Sequence, residues 1–158
     1  MASDVVEPLT DKKFDGPKVT QFSVFVKNRA GALMNIVRLL QQGNIEVVAL
    51  SVLDATDSAV VRMLVSDPER VDELFRKNDI AFSTTDMVVV EMTEVGRDLA
   101  RVLTALLQAE VNIFFSYPLL TRPHGRSALA LHVDDDECAT SVLLGERFRL
   151  LSQVDISR

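Results

Sequence analysis

The chain has 158 residues, 47% of them hydrophobic and 25% charged, which is enough apolar matter for one compact domain or two small ones and argues against wholesale disorder. A formal net charge of −6 and a pI of about 4.9 set it against phosphate backbones, so nucleic acid is not an expected partner. The single cysteine, Cys138, excludes an internal disulfide, and no apolar run approaches the roughly 20 residues of a membrane helix; with no basic, apolar leader, the expected location is the cytoplasm, off the membrane.

Residues 1–17, "MASDVVEPLTDKKFDGP", mix charge with proline and glycine and read as an N-terminal arm. "VTQFSVFVK" then alternates, with Phe22, Val24 and Val26 on one face and Gln21, Ser23 and Phe25 on the other, which is a strand. "AGALMNIVRLLQQGN" spaces Leu33, Ile36, Val37 and Leu40 as a helix that stops at Gly43-Asn44. "IEVVALSVLD" and "AVVRMLVS", joined by "ATDS", predict a hairpin. "DPERVDELFRKN" predicts a helix capped by Asp67 with Pro68 in its first turn, and "IAFSTT" a short strand. The order is βαββαβ.

The order then repeats. "DMVVVEMT" is a strand and "GRDLARVLTALLQAE" a helix carrying Leu99, Val102, Leu103 and Leu106; "VNIFFSYPLL" and "SALALHVD" are strands joined through "TRPHGR". "DDECATSVLLGER" is a helix with acids in its first turn, and "FRLLSQVDI" closes the unit. A shift of 66 carries Leu33, Ile36, Val37 and Leu40 onto Leu99, Val102, Leu103 and Leu106; beyond the hairpin a shift of 68 carries Val65 onto Val133 and Glu69 onto Glu137. The chain therefore divides into the arm, a first unit over 18–85 and a second over 86–158, with "IAFSTTDMVVVEM" nearly continuous across the boundary.

A βαββαβ unit predicts an α+β, ferredoxin-like fold: a four-stranded antiparallel sheet with both helices on one face. Phe25, Ala49, Phe115 and Ala130 are apolar on the other face, so a second layer or edge is expected to cover it, with the two units packed side by side and their strand–helix loops forming a cleft. The junction "FVKNRAGALMN" is neither a phosphate loop nor a dinucleotide fingerprint. A helix start exposes unpaired N–H groups and a positive dipole end, glycine lets a ligand approach the backbone, and a carboxylate suits both. The side chain of Asn28 suits a helix cap or an ammonium group.

With Asn28-Arg29-Ala30-Gly31-Ala32-Leu33 after the first strand and Val111-Asn112-Ile113 opening a later one, the chain resembles the ACT domain family over roughly residues 19–155. It looks like stand-alone proteins made of two ACT domains. The resemblance implies an amino acid effector bound at an ACT–ACT interface. In the first unit the implied ligand-binding residues are Asn28, Arg29, Ala30, Gly31, Ala32 and Leu33, with Asn44, Ile45 and Glu46; in the second they are Glu94, Val95, Gly96, Arg97, Asp98 and Leu99, beside Thr93, with Val111, Asn112 and Ile113. The second copy departs from the pattern, because Gly31 falls on Arg97 and Asn28 on Glu94. The two loops are therefore not expected to bind equivalently, with Asn112 or Glu94 suited to a ligand amine.

Other polar clusters have plain structural readings. His124 lies in a proline–glycine turn, His132 in a strand, and Cys138 on a helix; their spacing is not that of a metal site. Asp134 to Glu137 read as helix-capping acids, and Tyr117-Pro118 as an edge strand. No catalytic constellation is present, so no catalytic residue, metal ligand or cofactor is expected and the chain is taken as a non-enzyme. The expected role is regulation by amino acid binding, with a homodimer covering the outer sheet edges. The alternative is a regulatory small subunit of a biosynthetic enzyme, since residues 22–66 also resemble the first domain of acetolactate synthase small subunits; an enzyme of ferredoxin-like fold is a third class.

Overall fold

The computed structural model describes Phe14 and residues 16–27, 31–54 and 56–157. Seven strands, β1 (Val19–Lys27), β2 (Val47–Asp54), β3 (Ser58–Val65), β4 (Phe82–Met92), β5 (Ile113–Pro118), β6 (Ser127–Val133) and β7 (Leu150–Leu151), alternate with five helices. The helices are α1 (Ala32–Gln42), α2 (Pro68–Lys77), α3 (Val95–Gln108), α4 (Asp136–Gly145) and α5 (Gln153–Ile156). The strands make one sheet in the order β2-β3-β1-β4-β6-β5, with β7 also pairing β4, and all pairings are antiparallel.

Two ferredoxin-like units would need eight strands. There are seven because β4 serves both units: its first half pairs with β1 (Val24 opposite Phe82, Val19 opposite Met87), and its second half with β6 and β7. The boundary expected near Thr85 thus falls inside one uninterrupted strand.

The repeat extends to single hydrogen bonds. Asp67 caps α2 by accepting from the Arg70 N–H, and Asp135, 68 residues on, caps α4 by accepting from that of Cys138. The left-handed Asn44 (φ 55°) is matched by Glu110 (φ 56°), and Asp79 (φ 54°) by Arg147 (φ 66°). The irregularity between Val47 and Ala49 recurs between Ile113 and Phe115. One stretch departs from expectation: "FRLLSQVDI" gives only the two residues of β7 before Ser152 and Asp155 form a capping box and start α5.

Because side chains alternate along a strand, β4 feeds three cores. Phe82 packs with Phe22, Val24, Ile36, Leu40, Val71 and Phe75 under α1 and α2, and Val88, Val90 and Met92 pack with Val102, Leu106, Ala139 and Leu143 under α3 and α4. Met87 and Val89 point the other way, into a third core with Val19, Ala49 and Leu64 of the first unit and Tyr117, Ala128, Ala130 and Leu151 of the second. The helices therefore lie on the outside of a curled sheet whose helix-free face closes on itself, and the edges meet where the N–H of Leu120 donates to the carbonyl of Val48 (2.8 Å). This covers Ala49, Ala130 and, in part, Phe115, as expected, but not Phe25, which is 57% exposed: the second unit reaches only the Val19 end of β1. On α3, Val102 and Leu106 are buried while Leu99 and Leu103 join Val95 and Leu107 in an exposed apolar stripe.

Tyr117 ties the two units together. Its buried hydroxyl donates to Oε1 of Gln21 on β1 at 2.6 Å, while the Arg62 guanidinium lies 3.7 Å from the centroid of the Phe115 ring. Burial pushes the Tyr117 hydroxyl well above its ordinary value, against the opposing pull of Arg62. A group whose pKa rises on folding contributes stability below its unfolded pKa, about 10, and loses that contribution as pH rises above it. The chain has one tyrosine and no tryptophan, so the tyrosinate band of its near-ultraviolet absorbance reports on this group alone. In an alkaline titration, tyrosinate is expected only together with unfolding; ionisation at about pH 10 in the still-folded chain would contradict the closed third core.

Candidate functional site

Among the four long helices, the two at capped starts, α2 and α4, carry aspartates that satisfy their first N–H groups. The two at the repeat-equivalent strand–helix junctions, α1 and α3, carry no side-chain cap. At α1 the chain enters through Gly31 in the left-handed region (φ 89°), and the first helical bond runs from the N–H of Asn35 to the Gly31 carbonyl. By helix geometry the N–H groups before Asn35 have no partner within the helix, and no acid occupies this first turn. Among the described residues nothing lies within 4 Å of where a Cβ on Gly31 would stand. Ala32 and Leu33 form the first turn, both half-buried. Asn28, Arg29 and Ala30 lie outside the described residues.

At the second junction an acid of the helix turns back onto the loop ahead of it. Asp98, buried on α3, turns its Oδ2 back to accept from the N–H groups of Thr93 (2.9 Å) and Glu94 (3.1 Å), and its Oδ1 faces Arg101 at 3.4 Å. The bond from the Glu94 N–H is the main reason its carboxyl is held below the usual carboxylate range; those from Thr93 and Arg101 act alike, and burial opposes them. Asp98 stands where the first unit has Ala32, so the first junction has no such internal carboxylate at that place. Val95, Gly96, Arg97 and Leu99 complete an exposed first turn.

The expected residues at the start of the second strand of each unit also differ. Asn44 is exposed, Ile45 is buried, and the Glu46 N–H donates to Oγ of Ser66 at 2.9 Å. Val111 is buried, Ile113 half-buried, and Asn112 donates through its backbone N–H and its Nδ2 to the Asp134 carboxylate (3.0 and 2.9 Å). That aspartate restrains the Asn112 side chain expected to meet a ligand amine.

The two junctions do not share a cleft within the chain. Lys27 ends β1 beside the start of β4, whereas Thr93 follows the end of β4, so the strand separates them by about 30 Å. The expectation of approaching loops is corrected here: sharing β4 places the two junctions at its opposite ends.

Beside Thr93 lies a cleft of about 320 Å³ that takes in the expected Glu94, Arg97 and Asp98 of the second junction; its other lining residues the sequence reading missed. Arg97 and Arg101 of α3, Arg126 ahead of β6, and Arg147 and Arg149 ahead of β7 line it, with Phe148 and the buried Glu91. Arg126 and Arg149 hold Nε atoms 3.4 and 3.6 Å from the two oxygens of Glu91, and the buried Oε2 of Glu91 accepts no hydrogen bond. Arg101 donates to the Glu146 carbonyl (2.9 Å) and lies over the Phe148 ring. These arginines come from three separate segments, which no local spacing reveals. A compositional signal exists: after Lys77 every lysine-or-arginine position is arginine, the cation suited to forked carboxylate or phosphate contacts.

Elsewhere the plain readings fit, except that His132, expected as a satisfied sheet histidine, is not fully satisfied. Asp134 and Asp135 serve Asn112 and the α4 start, Tyr117-Pro118 lies on the edge strand β5, and Cys138 is half-buried on α4. His132 sits beside the Phe114 and Phe115 rings, with a buried Nδ1 that has no hydrogen-bond partner. No group of acids, histidines and cysteine among the described residues is arranged to hold a metal ion, and no described helix is long and apolar enough to cross a membrane.

A tandem pair of ferredoxin-like units on one sheet, with loop-opened helices at equivalent places, defines the class of protein. Residues 18–158 match the ACT domain pair family, and the chain belongs to it. It is similar in structure to a protein of Bacteroides thetaiotaomicron, with 26% identity, a TM-score of 0.82, and coverage of 89% of this chain and 96% of that one. The regulatory subunit of aspartate kinase from Thermus thermophilus, in its ligand-free form, shares the fold at 12% identity (TM-score 0.57, 83% and 93% of the chains). That from Thermus flavus does so at 14% (TM-score 0.54, 82% and 92%). No protein of curated function matches the chain.

Proposed function

We propose that this chain is a non-catalytic regulatory protein whose first unit binds an amino acid at the Gly31 junction. The observation that carries the reading is the asymmetry among helix starts: α2 and α4 are capped by their own aspartates, α3 carries Asp98 in its first turn, and α1 opens through a left-handed glycine with neither a side-chain cap nor an acid in its first turn. A ligand carboxylate completes the first N–H donors of α1 as the aspartates complete the others. Asn28 to Ala30 are the proposed remaining contacts from the same chain; Asn44 to Glu46, past the far end of α1 and about 16 Å away, meet the ligand only from a second chain.

Since the second junction is about 30 Å away along β4, an ACT–ACT interface that walls this site is formed with a second chain. The exposed stripe on α3 supports such a homodimer. A second reading, a regulatory subunit acting on a separate biosynthetic enzyme, draws on the two Thermus proteins, which are regulatory subunits themselves; acetolactate synthase remains one candidate for the catalytic chain.

A thermal-shift series with the standard amino acids tests the proposal. A ligand at a hundredfold excess over Kd stabilises the fold by about 2.7 kcal/mol. Gly31→Val forces a β-branched residue into the left-handed region at a cost of about 1–2 kcal/mol and closes the approach to the donors, so it is expected to leave the chain folded and abolish the ligand shift. An undiminished shift in Gly31→Val, or no shift with any amino acid, rejects the Gly31 site.

A further inference from the structure

The geometry points to a second ligand site in this chain: we propose that the arginine-lined cleft at the C-terminal end of β4 binds a small dianion. The repeat itself provides the control. Under the shifts of 66 and 68, Arg97, Arg101, Arg126, Arg147 and Arg149 fall on Gly31, Asn35, Ser58, Asp79 and Ala81, and Glu91 falls on Phe25. The first unit builds the same fold with no basic residue at any of the five places, so the architecture does not demand them.

The cleft's own network is incomplete. Glu91 is 5% exposed, yet its contacts to Arg126 and Arg149, at 3.4 and 3.6 Å, exceed the roughly 2.7–2.9 Å of a charge-assisted hydrogen bond, and its Oε2 accepts none. A buried carboxylate left so loosely held is unusual in a finished structure. It anchors the two guanidinium groups from one side and leaves other N–H donors for a ligand. Arg97 meets only Glu94, at 3.7 Å, and Arg147 forms no ion pair among the described residues. Five guanidinium groups line the cleft with three carboxylates, those of Glu91, Glu94 and Asp98, and Asp155 stands 3.9 Å from Arg149 as a fourth, so the site is net positive within a chain of net charge −6. Arg97 and Arg147, the two least engaged of the five, offer a doubly charged anion one guanidinium for each charge, and the start of α3 adds its dipole.

A phosphate monoester and a dicarboxylate both meet this description. The site does not rest on the Gly31 reading, from which it is separated by the length of β4. Calorimetric titration of the full chain at low salt with inorganic phosphate, with succinate and with acetate tests it. One of the two dianions is expected to bind in saturable fashion about tenfold or more tighter than acetate, and the tighter one names the source class. Arg97→Ser and Arg147→Ser, both at exposed positions and so compatible with folding, are each expected to weaken it about tenfold or more, while Arg70→Ser on the α2 surface leaves it unchanged. Equal binding of all three anions, or full affinity in Arg147→Ser, overturns the proposal. A neutral amino acid that binds while both dianions fail overturns this site alone and spares the Gly31 junction; the converse result spares this one.

Discussion

Ala130→Asp is expected to unfold both units together. Ala130 on β6 is fully buried in the third core, against residues of β1, β2 and β4. An unpaired carboxylate there costs several kcal/mol, a large share of the roughly 5–15 kcal/mol that holds a domain folded. Because β4 belongs to both units, loss of the second unit strips the first of a strand and uncovers Val19, Ala49 and Leu64. Circular dichroism should show loss of structure along the whole chain, and limited proteolysis should leave no stable piece. A resistant fragment ending near Asp86 would show that the first unit stands alone.

Phe22→Ala is expected to lower stability by about 3–5 kcal/mol, the range for deleting a buried aromatic ring. Phe22 packs edge-on to Phe75 with centroids 5.9 Å apart, and its centroid is 5.6 Å from that of Phe82, which is on β4 itself. The damage is therefore transmitted to the shared strand. Denaturant unfolding should remain one transition, with its midpoint lowered and its slope unchanged. A curve in two steps, the second at the original midpoint, would mean that the units melt separately.

The sequence made the elements legible because both kinds of periodicity are strong in it. The alternation of Phe22, Val24 and Val26, the helical spacing of Ile36 and Leu40, and the Asp67-Pro68 start all stand within a few residues of one another, and each fixes local structure by itself. The repeat was legible for the same reason, down to the sheet covering of Ala49 and Ala130. Phe25 was read as covered because alternation reports which face a residue is on, not how far the opposing layer extends. The separation of the loops depends on which end of β4 each junction meets, a matter of pairing order rather than of local pattern. Arg126 and Arg149 converge on Glu91 from segments far apart in the chain, and no window along the sequence contains them together. The bonding at the second junction was half visible: an acid stands in the first turn of α3, but its turning back onto Thr93 and Glu94 is a side-chain choice.

One strand common to both copies also locks their phase. Position 82 and positions 88, 90 and 92 of β4 face the helices, and positions 87 and 89 face inward, so a single residue inserted after Asp86 would leave the first copy intact and invert the second: Val88 and Val90 would turn inward and Met87 and Val89 outward. Parity, then, governs how this joint can drift over evolutionary time. Its length can change by two without exchanging inside for outside, but not by one, whereas the hairpins, which carry no such bookkeeping, have already diverged from a shift of 66 to one of 68.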